Sequence, residues 1–170
     1  MAAFNKSDEN RLDWSLLRGS SVTMFFREHT LTNTVQWLAD QGYTMIDVNC
    51  SVAGNSAELL KAIGRKWGFP EYFSGENIDT FDDILYAIQI PSRAGVAIIL
   101  RRFDLIAKSE RRRAWQILNI LDNHSRLQMM CGSRLLTLVQ TANPRISFDQ
   151  IGAQNVKWND QETLDSQRGI

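Results

Sequence analysis

Between Glu71 and Asp83 the chain carries Glu71, Glu76, Asp79, Asp82 and Asp83 with no basic residue among them. If the segment from Asn77 is helical, Asp79, Asp82 and Asp83 stand at i, i+3 and i+4, so their carboxylates leave one side of the helix, opposite Ile78, Phe81 and Leu85. Carboxylates so grouped could hold a divalent cation, share acid and base work, or occupy a cationic groove on another molecule. The plain structural alternative is a solvated helix start, where the dipole and free amides favour acids; it accounts for Asp79 better than for Asp82 and Asp83. Tyr72 and Phe73 precede the acids in a loop where aromatic side chains have no evident core to fill, so acids and aromatics together suggest a docking surface.

Other chemistry is sparsely supported. The two histidines, His29 and His124, and the two cysteines, Cys50 and Cys131, lack metal-ligand spacing, so neither a zinc site nor a disulfide framework is expected. There is no Gly-x-Ser-x-Gly elbow and no phosphate-cradling glycine loop, and His124 near Asp122 reads as a helix-surface coincidence. No catalytic residue, metal or other cofactor is therefore assigned. Arg111, Arg112 and Arg113 read as solvated, or as paired with Glu110 and Asp104. With Lys+Arg 19 against Asp+Glu 19, the net charge is zero, which argues against a general nucleic-acid binder. The charged amino terminus does not resemble a signal peptide and no stretch reads as a membrane span, so a cytoplasmic protein with reduced thiols is expected.

The elements that must position the acids follow from periodicity. Val22 to Arg27 and Tyr43 to Val52 read as strands. A helix runs from a cap at Thr30 through Leu31, Val35 and Leu38 to Gly42, and a second from Asn55 or Ser56 through Leu59, Leu60 and Ile63 to Gly68. After the loop containing Pro70 comes the acidic helix, from Asn77 to about Ile88. Gly95 to Leu100 is apolar throughout, as in a strand covered on both faces. A helix from about Ser109 to Met130 buries Trp115, Leu118 and Leu121 and could take in His124, and Leu135 to Val139 is another buried strand. The alternation predicts an α/β fold with a mainly parallel sheet of about four strands and helices packed on it. Residues 1–20 are expected to be a tail and 21–143 one domain. Residues 144–170 are expected to form an extension with one edge strand near Val156 to Trp158, its last ten or so residues loosely ordered.

The run from Phe69 through Pro70, Glu71, Tyr72, Phe73, Ser74, Gly75, Glu76, Asn77, Ile78, Asp79, Thr80, Phe81, Asp82 and Asp83 to Leu85 closely resembles the signature of the barstar family. In that signature a Pro-x-aromatic-aromatic loop leads through Gly-x-Asn into an acidic helix. The layout is similar from Tyr43 to Thr141, with an added strand and helix before it. The resemblance implies a non-enzymatic inhibitor, of the immunity or antitoxin type, of a small bacterial ribonuclease, with loop and helix inserted into the catalytic cleft. It places the central inhibitory aspartate at Asp83 and its supporting aspartate at Asp79. Tyr72 or Phe73 would supply the aromatic contact, Gly75 and Asn77 would shape the loop, Glu76 and Asp82 would join the surface, and Asp122 and Asn123 would offer a secondary contact. Ser74 is an extra residue in the loop, and Asp82 stands where the family often has tryptophan. A toxin that is not a ribonuclease remains an alternative partner, and a carboxylate- or metal-dependent enzyme a more distant reading.

Overall fold

The computed structural model describes residues 2–152 and 154–170. Five parallel strands form one sheet: β1 (Val22–Phe25), β2 (Thr44–Asn49), β3 (Gly95–Arg101), β4 (Arg134–Gln140) and β5 (Lys157–Trp158), in the spatial order β2-β3-β4-β1-β5. The α/β architecture and parallel pairing agree with expectation; the fifth strand is the short edge at Lys157, where the sequence pattern allows one more strand. The helices are α1 (Leu12–Leu17), α2 (Glu28–Asp40), α3 (Cys50–Ala53), α4 (Ser56–Trp67), α5 (Ile78–Ala87), α6 (Asp104–Ser109) and α7 (Arg111–Met130).

Helices cover both faces of the sheet, which explains why its central strands are apolar without alternation. On one face Val96, Ile98 and Leu100 of β3 pack with Leu59 and Ile63 of α4, Phe81 and Leu85 of α5, and Leu118 and Leu121 of α7. On the other, Ala97 and Ile99 pack with Leu16 and Leu17 of α1 and Leu31 and Leu38 of α2. Among the described residues no helix is long and apolar enough to cross a membrane.

Long-range contacts correct several local expectations. Residues 1–20 are not a mere tail: they contain α1, and the fully buried Asp13 accepts from Arg11 at 2.9 and 3.0 Å and from the Tyr43 hydroxyl at 2.7 Å. Tyr43 can lie there because Gly95 has no side chain: a Cβ would sit 2.2 Å from the tyrosine ring. Helix α2 begins at Glu28 and not after a cap at Thr30; its N-cap is Arg27, and the Glu162 carboxylate accepts from the amides of Phe26 and Arg27, just ahead of the helix, at 2.8 and 2.7 Å. The last residues, expected to lack regular structure, carry a 3-10 turn at Asp165–Arg168, with Arg168 buried over the Trp158 ring. The long helix expected from about Ser109 to Met130 is α7, and the short α6 before it is additional; Trp115 on α7 is only half-buried, its indole N–H donating to the Gln150 carbonyl at 3.0 Å.

Candidate functional site

The loop before α5 is held down by residues that face inward. Helix α4 ends at Gly68 in the left-handed region (φ 84°), and the amide of Phe69 closes back on the Gly64 carbonyl at 2.8 Å. Phe69 and Phe73 then meet edge to face at 5.3 Å over Gly64, where an added Cβ would lie 3.0–3.1 Å from both. Phe81 of α5 completes the aromatic cluster, 6.0 Å from Phe69 and 6.3 Å from Phe73. Gly75 combines φ +75° with a backbone approach so close that a Cβ would stand 2.2 Å from the Ala57 carbonyl oxygen, so the loop rests directly on α4.

The entry into α5 is fixed by short polar contacts. Asn77 is its N-cap, the side chain accepting from the Asp79 amide at 2.9 Å, as expected for this residue type at a helix start. The Ser74 hydroxyl accepts from the Glu76 amide at 3.3 Å, so the extra loop residue closes its own turn. From α7 the Arg113 guanidinium donates to the Glu76 carbonyl.

What this scaffold presents outward is acidic and aromatic. Tyr72 is 78% exposed, and Glu71, Glu76, Asp79 and Asp83 are exposed. Asp79 and Asp83, one helical turn apart, have no ion-pair partner among the described residues. Their mutual repulsion opposes helix formation by about 0.2–0.5 kcal/mol, which the buried face of α5 outweighs through Phe81, Ile84 and Leu85. Between loop and helix runs a groove of about 340 Å³ with Phe69, Pro70 and Tyr72 on one side, Ile84 and Ile88 along it, and Asp83 at its edge.

Other residues singled out in the sequence lie elsewhere. Phe73, expected beside Tyr72 as an exposed aromatic, is 7% exposed and belongs to the core, because the chain reverses around it and the space above Gly64 admits a ring. Asp122, expected as a secondary contact, is fully buried: it accepts from the Ser21 amide and hydroxyl at 3.1 and 2.8 Å and pairs with Arg126 at 2.8 Å. Its neighbour Asn123 is exposed. Of the two readings of the arginine run, pairing with Glu110 and Asp104 does not hold, while Arg111 and Arg112 are exposed. Glu110 instead accepts from the amide and hydroxyl of Ser56 and Asp104 from Arg102, while Arg111 donates to the Ser147 carbonyl.

Asp82 differs from the two free aspartates. His124, almost fully buried on α7, lies with Nε2 2.7 Å from its carboxylate, and Tyr86 packs edge-on against the imidazole at 4.4 Å. His124 is therefore no helix-surface coincidence. The signal in the sequence is its spacing from Ile117 and Leu121, which puts all three on one face of α7, a phase that leads into the core. Among the described residues, no group of three or more His, Cys, Asp or Glu side chains is arranged to hold a metal ion.

Comparison with known proteins adds the family. No curated protein matches the chain. The family model described as barstar (barnase inhibitor) matches residues 43–134, more than half of the 170 residues, from the buried Tyr43 through the loop and acidic helix to the start of β4. The chain therefore belongs to the barstar family.

Proposed function

We propose that this protein is a non-enzymatic inhibitor of a bacterial ribonuclease, in which α5 and the loop before it fill the cationic catalytic groove. The observation that carries the reading is that Asp79 and Asp83 stand exposed, with no cation partner among the described residues, on a helix whose loop is anchored from below, with Tyr72 beside them. A groove that handles RNA must offer cations to a phosphodiester, and a rigidly held carboxylate accepts the same charge-assisted hydrogen bonds. Anchoring by Phe69, Phe73 and Gly75 lowers the ordering cost of association, and opposite charge accelerates encounter. Membership of a family described as barnase inhibitors supports this reading. The protein would act in the cytoplasm of the cell that makes the enzyme, as an immunity protein.

The test is inhibition of barnase, and of any nuclease encoded beside the gene, by the wild-type protein, Asp83→Ala and Arg112→Ala. Asp83→Ala should lose inhibition while Arg112→Ala keeps it; equal inhibition by both variants removes the proposed surface. A second reading, a toxin partner that is not a ribonuclease, is favoured by Asp82, which stands where the family often has tryptophan and is tied to His124. Capture from the parent cell of a partner without RNA-cleaving activity would decide for it.

A further inference from the structure

Where α7 begins, an open groove of about 470 Å³ is lined by Arg111, Arg112, Trp115, Phe148 and Asp149, its walls mainly apolar. Phe148 and Asp149 lie beyond residues 43–134, so the carboxyl-terminal extension builds one wall. The cations of the groove are open to solvent. Arg111 and Arg112 are exposed, and neither pairs with a carboxylate among the described residues. Arg111 gives one N–H to the Ser147 carbonyl at 3.1 Å, while Arg112 keeps all its donors free. The acid that the sequence sets beside them, Glu110, is turned to the amide and hydroxyl of Ser56. Cations at the start of a helix also face the positive end of its dipole, and no acid in the first turn of α7 offsets them.

The rings beside these arginines are held in place. Trp115 is half-buried with its indole N–H spent on the Gln150 carbonyl, and Phe148 packs against Phe103 at 6.0 Å between ring centres. Both therefore offer fixed apolar surface to the groove. Guanidinium groups match phosphate oxygens with paired N–H donors, and aromatic side chains stack on flat heterocycles. Arginines beside aromatic walls thus suit a ligand that joins a phosphate to a base. The volume falls within the roughly 300–1,000 Å³ of small-molecule sites and is far more than a bare phosphate fills. Two guanidinium groups balance one phosphate monoester, and the exposed Asp149 opposes a longer phosphate chain while able to accept from the N–H edge of a base. We infer that this groove binds a single nucleoside monophosphate, its phosphate held by Arg111 and Arg112 and its base lying against Trp115 and Phe148.

The experiment titrates the full chain with guanosine monophosphate, guanosine and inorganic phosphate at matched ionic strength, following amide and indole N–H signals by NMR. The wild-type protein should bind the nucleotide saturably, with shifts gathered on Trp115, Phe148 and the first turn of α7. Guanosine and phosphate alone should each bind about tenfold more weakly or worse. Arg112→Gln, at an exposed position that leaves folding intact, should weaken nucleotide binding about tenfold, the loss expected for one charge-assisted hydrogen bond. Phe148→Leu should weaken binding of the nucleotide and leave that of phosphate unchanged. Asp83→Ala should bind the nucleotide as the wild type does, which keeps this site separate from the proposed inhibitory surface. Absence of a saturable response in the wild type, phosphate binding as tightly as the nucleotide, or equal affinity in Arg112→Gln would each overturn the assignment.

Discussion

The molecule uses carboxylates in two ways, and the contrast between them underlies the proposed binding surface. Around the added elements, Asp13, Asp122 and Glu162 are fully buried and each is fully engaged: Asp13 by Arg11 and Tyr43, Asp122 by Ser21 and Arg126, Glu162 by the amides just ahead of α2. On α5, Asp79 and Asp83 are exposed and paired with no cation among the described residues. A buried carboxylate left unpaired would be driven to neutralise, so the first group stabilises the fold. An exposed one costs little where it stands and keeps its hydrogen-bonding capacity for another molecule. Burial and partners, more than residue type, separate scaffold from surface.

Substitutions should divide along the same line. Asp13→Ala leaves Arg11, Tyr43 and the nearby Arg134 without their common acceptor, and should lower unfolding free energy by about 3–5 kcal/mol in urea denaturation. It should leave inhibition per folded molecule unchanged. Asp83→Ala should do the reverse, weakening the complex by about 2–5 kcal/mol, a scale set by barnase and barstar themselves and not by this structure. Its unfolding midpoint should stay near that of the wild type, and a large drop in stability would erase the contrast. Gly75→Ala is the intermediate case, because the added Cβ collides with the Ala57 carbonyl and strains a left-handed residue. It should cost about 1–3 kcal/mol of stability and weaken binding as the loop lifts.

The smallest effect concerns acid. Although burial pushes the Asp13 carboxyl up, hydrogen bonds from Arg11 and Tyr43 win and hold its pKa below the ordinary value of 3.8. Its contribution is therefore complete above that value and is lost as pH falls below it toward the lower folded pKa. Thermal melts should show a steeper fall in stability below about pH 4 for the wild type than for Asp13→Asn.

Local patterns are enough to read much of the frame. The unbroken apolar run from Gly95 to Leu100 identifies a strand covered on both sides, and Asn77 ahead of Ile78, Phe81 and Leu85 marks both the start and the inward face of α5. What escapes is decided by partners distant in sequence. The Glu162 carboxylate accepts from the Phe26 amide ahead of α2, 136 residues earlier, a link no window can contain. At the site, the acidic cluster is visible in the sequence, but its division is not: Asp82 is claimed by His124, 42 residues on, while Asp79 and Asp83 are left free. Phe73 reads as an exposed aromatic because the space it fills is made by a glycine on another helix, Gly64.

The strand order carries a consequence for how the protein is made. Strand β1 leaves the ribosome before the other four, yet its neighbours are the two made last, β4 and β5. Strands β2 and β3 can pair as soon as both are made, whereas β1 must wait, unpaired, until β4 has followed them. Release of β4 and β5 from the ribosome thus sets the moment at which β1 is sealed into the sheet.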